Sequence, residues 1–288
     1  MLGACGPAAP QPLNLAYFRL FRRKLSCMDA SALTSPDLSV ELRGPVLWLT
    51  ITREARRNAM SHGVLAGMAE AISAAQSDRS VRAIVVTGAG EKAFCAGADL
   101  QNAQAFTTDY SEPLGHLAQL LRVAKASYVP LVARVNGACM AGGMGLLSMC
   151  DMAVAAEHAV FGLPEVKVGV FPAQVLSVLQ HLIPRRTLVE MCITGEPISS
   201  LQALEFGLVN YMDRDVDAKL QWLLERLLDK SPAAVRRGLY MMKKMEAMAF
   251  EESMAFTESQ IALFTLTEDA REGQLAFQEK RKPQWSGK

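Results

Sequence analysis

The chain is short of the features that mark several common protein classes. Its 288 residues hold 30 Lys+Arg against 29 Asp+Glu, for a formal net charge of +1. Without an excess of positive charge or a long basic stripe, it does not read as a dedicated nucleic-acid binder. No apolar run approaches the roughly 20 residues that a membrane-spanning helix needs, so no membrane partner is expected. The six cysteines, Cys5, Cys27, Cys95, Cys139, Cys150 and Cys192, include no Cys-x-x-Cys pair. Four of them lie in apolar or glycine-rich stretches. Buried, reduced thiols are the expected state there, which fits a reducing compartment and a cytoplasmic location. The four histidines, His62, His116, His158 and His181, show no metal-ligand spacing, so no metal site is expected. Gly88-Ala89-Gly90 lacks the third glycine of a dinucleotide-binding turn. No Gly-Lys-Ser/Thr phosphate loop and no Gly-x-Ser-x-Gly nucleophile elbow occur either.

Acidic residues are missing from the first 28 positions, which hold Arg19, Arg22, Arg23 and Lys24 before the first acid, Asp29. Two readings stay open. One is a mitochondrial transit peptide, which would change the location accordingly. The other is an over-extended start ahead of Met28. Residues 1–36 are therefore expected to be a disordered or superfluous extension.

Half of the residues are hydrophobic, enough for a sizeable core. Strand-like runs alternate with helical ones. Residues 46–51, 83–87, 131–135 and 152–156 read as strands. Val64, Leu65, Met68, Ala71, Ile72 and Ala75 repeat at helical spacing. A helix is predicted to start near Gly142-Gly143 and to end before Cys150. From Val175 onward the helical signal dominates, with pauses at Pro184, at 195–197, at 213–217 and at Ser231-Pro232. The pattern predicts an α/β core followed by a helical C-terminal third.

Two glycine- and alanine-rich segments follow strand-like runs. They are Phe94-Cys95-Ala96-Gly97-Ala98-Asp99-Leu100 and Asn136-Gly137-Ala138-Cys139-Met140-Ala141-Gly142-Gly143-Met144-Gly145. Small residues let a backbone N–H approach a ligand closely. Two such groups aimed at one carbonyl oxygen would form an oxyanion hole, the general device for stabilising an enolate built from a thioester. A third segment, Phe161-Gly162-Leu163-Pro164-Glu165, offers a carboxylate held by a tight turn. Apolar neighbours Val166, Val168 and Phe171 would raise its pKa by desolvation. The plainer alternative is an exposed glutamate or one paired with Lys167.

These three segments, with Cys150-Asp151, resemble the ordered signature of the crotonase (enoyl-CoA hydratase/isomerase) superfamily. Residues 52–60 resemble its first CoA loop, without a proline usual there. Residues 195–198 with 203–209, and 271–283, resemble its later motifs. The resemblance runs from about Leu38 to Trp285. It implies a crotonase-like spiral of repeated ββα units over residues 37–230, and a helical region over 231–288 that builds trimers, often stacked as hexamers. It also implies Ala98 and Gly142 as the oxyanion donors and Glu165 as acid/base. Arg56, Ala59 and Ala96 match the CoA-binding positions of the core. Phe277 and Lys280 match those of the C-terminal helix, which often serves a neighbouring subunit. No prosthetic group is implied; coenzyme A enters as part of the substrate.

The departures from the family are informative. Typical hydratases carry a second glutamate where this chain has Gly145. Gly145 is expected to leave space for a bulkier acyl group, a water or a carboxylate from elsewhere, with Asp109 and Glu112 as candidates. Gln101 replaces a phosphate-binding lysine. Phe171-Pro172-Ala173-Gln174 replaces a Pro-Gly-rich stretch. A single acid resembles the pattern of the family's enoyl-CoA isomerases. Double-bond isomerisation is therefore the expected reaction. Single-acid hydration of an unusual or branched enoyl-CoA, or non-catalytic acyl-CoA binding, are the alternatives.

Overall fold

Gly44 and Pro45 turn the chain back on itself. Gly44 takes φ +59°, which suits glycine, and Leu38–Arg43 (β1) then pairs antiparallel with Val46–Ile51 (β2). The computed structural model describes residues 28–99 and 114–288. His62–Ser77 (α1) follows, capped by Ser61, whose Oγ accepts from the Val64 N–H at 3.3 Å. All six residues of its predicted apolar stripe are buried. Next come Ala83–Gly88 (β3), Ala93–Cys95 (β4), His116–Ala126 (α2), Leu131–Val135 (β5), Ala138–Met140 (β6) and Gly142–Ser148 (α3). Met152–Ala156 (β7), Val160–Gly162 (β8), Leu176–Leu179 (α4), Arg185–Thr194 (α5) and Ile198–Ser199 (β9) succeed them. Ser200–Glu205 (α6), Tyr211–Asp213 (β10) and Val216–Leu228 (α7) lead to three C-terminal helices, Pro232–Met245 (α8), Phe250–Thr265 (α9) and Glu268–Gln278 (α10).

The strands alternate between two sheets. One has the order β1-β2-β3-β5-β7-β10 and the other β4-β6-β8-β9. Strands β3, β5 and β7 enter the first sheet, while β4, β6 and β8 enter the second. Each pair is followed by helix, so a ββα unit recurs and advances by one strand per turn. This is the spiral that the resemblance implied. Strand β3 is buried along its whole length, as a central parallel strand must be. Ile84 and Val86 enter the main core, while Ala83 and Val85 face Leu220, Leu223 and Leu224 of α7.

Part of the segment expected to lie outside the fold is in it. Met28, Ala30 and Leu33 pack against the core, and the Met28 N–H donates to Asp78 at 2.7 Å. The C-terminal helices are anchored through α8. Lys243 pairs with the largely buried Asp151 at 2.8 Å and donates to the carbonyls of Ala124 and Ser127 at the end of α2. Burial pushes the Asp151 carboxyl up, against the pull of the Lys243 ammonium. Arg236 donates to the carbonyls of Gln76, Asp78 and Val81 at the end of α1. No helix among the described residues is long and apolar enough to cross a membrane.

Candidate active site

Three neighbouring strands end on one edge. β4, β6 and β8 run parallel, with Cys95 opposite Cys139 and Cys139 opposite Phe161. Neighbouring strands lie about 4.8 Å apart. Ala98 stands three residues beyond Cys95, Gly142 three beyond Cys139, and Glu165 four beyond Phe161. Register therefore brings the three segments out at the same carboxyl edge of neighbouring strands, where open α/β sheets place their ligands.

The segments carrying Ala98 and Gly142 touch through their backbones. A Cβ built on Gly97 would lie 3.3 Å from the Gly142 N, and one built on Gly142 would lie 3.9 Å from the Ala98 N. Any side chain at Gly142 would also collide with Met60 Cε. Neither N–H has an acceptor among the described residues. Ala141 precedes them at φ 50°, ψ −122°, a strained turn for a residue with a Cβ. It starts α3 with Gly142, and no side chain caps the first N–H groups of that helix. Two unpaired N–H groups this close are suited to hold one anionic oxygen.

The loop before α1 supports this arrangement. Ala96 N–H donates to Arg57 O at 3.1 Å, Met60 N–H to Gly97 O at 2.8 Å, and Asp99 N–H to Met60 O at 3.3 Å. Two buried amides brace the same corner. Asn58 Nδ2 donates to the carbonyls of Ala89 and Ala93, and Asn136 Nδ2 to those of Gly90 and Ala93. Arg53 closes the loop, donating to Ala59 O at 2.5 Å and to Asp99 Oδ2 at 2.7 Å. Sequence reasoning passed over Arg53 and the side chains of Asn58 and Asn136. Asn136 stands out only as a polar residue in a run of small and apolar ones, Arg53 and Asn58 sit in a stretch rich in charge, and their partners lie up to 49 positions away.

Glu165 follows Pro164 in the first turn of the 3-10 helix Pro164–Val168. Its Oε2 is buried and has no hydrogen-bond partner among the described residues. Burial pushes the carboxyl above its ordinary value. Of the apolar neighbours expected to bury it, Val166 is half-buried, while Val168 is 59% and Phe171 54% exposed. Helix α5 packs on the turn, and its Cys192 lies within the field of the Glu165 carboxylate. Lys167 pairs with Glu196 at 2.8 Å, which removes the plain pairing with Glu165. A half-buried carboxyl of this kind exchanges protons nearer neutrality than a free one.

Gly145 does not leave the expected space. It is buried in α3, and a Cβ there would come 3.0 Å from Val175 Cγ1 and 3.9 Å from Leu117 Cδ1. Val175 is itself buried, so an apolar side chain fills the neighbourhood. Asp109, Glu112 and Gln101 lie outside the described residues.

The remaining candidates divide into two groups. Arg56 ends the exposed turn Glu54–Arg56, while Ala59 is buried and Ala96 half-buried beside the oxyanion segment. Phe277, in the last turn of α10, is 85% exposed, and Lys280 follows the helix at φ +54°. Helix α10 packs on α8 and α9, and among the described residues no hydrogen bond joins Phe277 or Lys280 to the segments of Ala98, Gly142 and Glu165. Cys95, Cys139 and Cys192 are buried and Cys150 is half-buried; burial pushes the Cys95 thiol up to about 12. No cluster among the described residues is suited to hold a metal ion.

The family described as Enoyl-CoA hydratase/isomerase has a model that matches residues 41–288. The 2,3-dehydroadipyl-CoA hydratase of Escherichia coli (strain K12) is 32% identical over 88% of this chain and 99% of its own. The carnitinyl-CoA dehydratase of Salmonella arizonae is 33% identical over 88% and 99%. Among solved structures, an enoyl-CoA hydratase from Mycobacterium smegmatis superposes with a TM-score of 0.82 at 32% identity, covering 87% of this chain and 99% of that one.

Proposed function

The chain belongs to the enoyl-CoA hydratase/isomerase family, and from that premise we propose that it shifts the double bond of an enoyl-CoA with Glu165 as its single acid/base. The substrate's thioester carbonyl oxygen sits between the N–H groups of Ala98 and Gly142. Glu165 takes a proton from C2 of a 3-enoyl thioester. The electron pair moves into the conjugated system, and the resulting dienolate carries its charge on the oxygen between the two N–H groups. Glu165 then returns the proton at C4, which leaves the 2-enoyl product with no atom gained or lost. The observation that carries this reading is Val175 packed against Gly145, where a second acid would have to stand. Two carboxylates position water for hydration, whereas a double-bond shift needs one.

Arg56, Ala59 and Ala96 bind the CoA moiety from the core. Phe277 and Lys280, so exposed in one chain, complete that site across a trimer contact. On this reading residues 37–230 form the catalytic core and 231–288 the assembly region. A cation near the CoA phosphates has the chemistry for a charge-assisted contact.

Single-acid hydration is the second reading. Its support is that the compared relatives are named hydratases and dehydratases. One experiment separates the two. Wild type and Glu165→Gln are incubated with matched 3-enoyl- and 2-enoyl-CoA thioesters, and products are identified by mass and double-bond position. Isomerisation that disappears in Glu165→Gln supports the proposal. Near-wild-type turnover by the variant overturns the role of Glu165.

A further inference from the structure

The proton transfer described above leaves one cleft of this molecule unused. It has a volume of ≈ 300 Å³ and opens between α4, α5 and Phe171. Leu176, Leu188 and Cys192 form its inner wall, and the exposed Val189 and Ile193 line its rim. One wall of the cleft adjoins the turn that carries Glu165. Cys192 lines it, and burial together with the nearby Glu165 charge pushes that thiol up. The turn carrying Glu165 packs directly on α5, whose face forms the cleft.

Two polar side chains interrupt this apolar surface, Gln180 and Arg185. Arg185 makes no ion pair or hydrogen bond with any described residue. It is the first residue of α5, whose first turn holds no acid, so the helix dipole opposes its charge. An exposed cation at the end of an apolar cleft, unpaired among the described residues, matches a ligand that is apolar along its length and anionic at its tip.

We propose that the cleft takes the distal part of the acyl chain and that Arg185 binds a carboxylate at its end. The preferred substrate is then the CoA monothioester of a dicarboxylic acid. The assignment rests on the reading of Ala98, Gly142 and Glu165 as the thioester site. The fold also sets the length. Cys192 and Arg185 are seven residues apart on one helix, about 10.5 Å at 1.5 Å per residue. An extended carbon chain advances roughly 1.25 Å per bond, given bonds near 1.52 Å. From C4, held at Glu165, the span takes about eight carbons, fewer where the guanidinium leans inward, so the whole acyl group has roughly eight to twelve.

The test compares two saturated thioesters that cannot turn over. These are the monothioester of decanedioic acid and decanoyl-CoA, which differ only in the terminal carboxylate. Calorimetry on the full chain gives both affinities for wild type, Arg185→Ala and Arg185→Lys. The wild type binds the carboxylated chain about tenfold or more tightly, the scale of a hydrogen bond to a charged group. That ratio falls to near one in Arg185→Ala and is partly kept in Arg185→Lys. A wild-type ratio near one, or a ratio that survives Arg185→Ala, overturns the proposal. If both thioesters bind equally, the cleft assignment fails while the thioester site stands. If neither binds, both readings fall together.

Discussion

Glu165 carries its carboxyl group partly out of water with one oxygen unpaired, and that arrangement has a cost that can be read. Its folded pKa is raised above the unfolded value, so the protonated form is the one that folding favours. Below the unfolded pKa, near 4.5, the burial costs nothing. Above that value stability falls as pH rises, and the loss is complete once the folded pKa is passed. Glu165→Gln should therefore raise Tm at pH 7 to 8, and the gain should vanish below pH 4.5; calorimetric melts across pH check this. The same change should lower turnover by about 10²–10⁴-fold, the usual reach of a general acid–base group. In the wild type, kcat/KM should fall with acidification at a pH above the ordinary glutamate range. Loss of stability without loss of turnover would identify a structural glutamate. At this scale the positions of Ala98, Gly142 and Glu165 were legible because short motifs name them. Asn58, Asn136 and Arg53 were not, since each is defined by partners far away along the chain.

Elements of five or more residues with a regular apolar pattern were legible almost to their ends. Leu131–Val135 and Met152–Ala156 run where the sequence predicts, and β3 extends one residue past its predicted end. The strands β4, β6 and β8, three residues each, were not legible, because periodicity needs more residues than they have. They are the strands whose register assembles the candidate site. Helix α3 was foreseen, but its neighbour was not: α4 brings Val175 against Gly145. Gly145→Glu alone should thus destabilise the fold by about 1–3 kcal/mol through overpacking. Adding Val175→Ala should recover part of that loss, since residues in contact couple. Urea midpoints of the two single variants and the double variant measure it. Strict additivity would show that Val175 does not close the position.

Across the whole molecule, the spiral order of the strands left no trace in the hydrophobic pattern. It depends on which sheet each strand joins, and only the family resemblance carried that information. The C-terminal third keeps much of its apolar surface uncovered in one chain. Met241, Met242, Met245, Met248, Phe250, Met254, Phe256, Ile261, Leu263 and Phe264 fill a helical pattern that usually means core, yet none is buried in one chain. Helix α8 buries no residue at all and is held by the polar contacts of Arg236 and Lys243. With Ile261 64%, Leu266 66% and Phe250 72% exposed, this surface calls for a partner. Light scattering at micromolar concentration should give three times the chain mass of 31.3 kDa, or six times it. A stable monomer would contradict any CoA site shared between subunits. The central claim is that one acid, facing two backbone donors, moves a proton but does not add water. Its most direct test is the partition between the two outcomes on a single sample of 3-enoyl-CoA, followed by mass spectrometry. The account predicts conversion to the 2-enoyl isomer at unchanged mass, with little further gain of a water. Rapid accumulation of the hydrated product, or rapid hydration of crotonyl-CoA by the same sample, would contradict it.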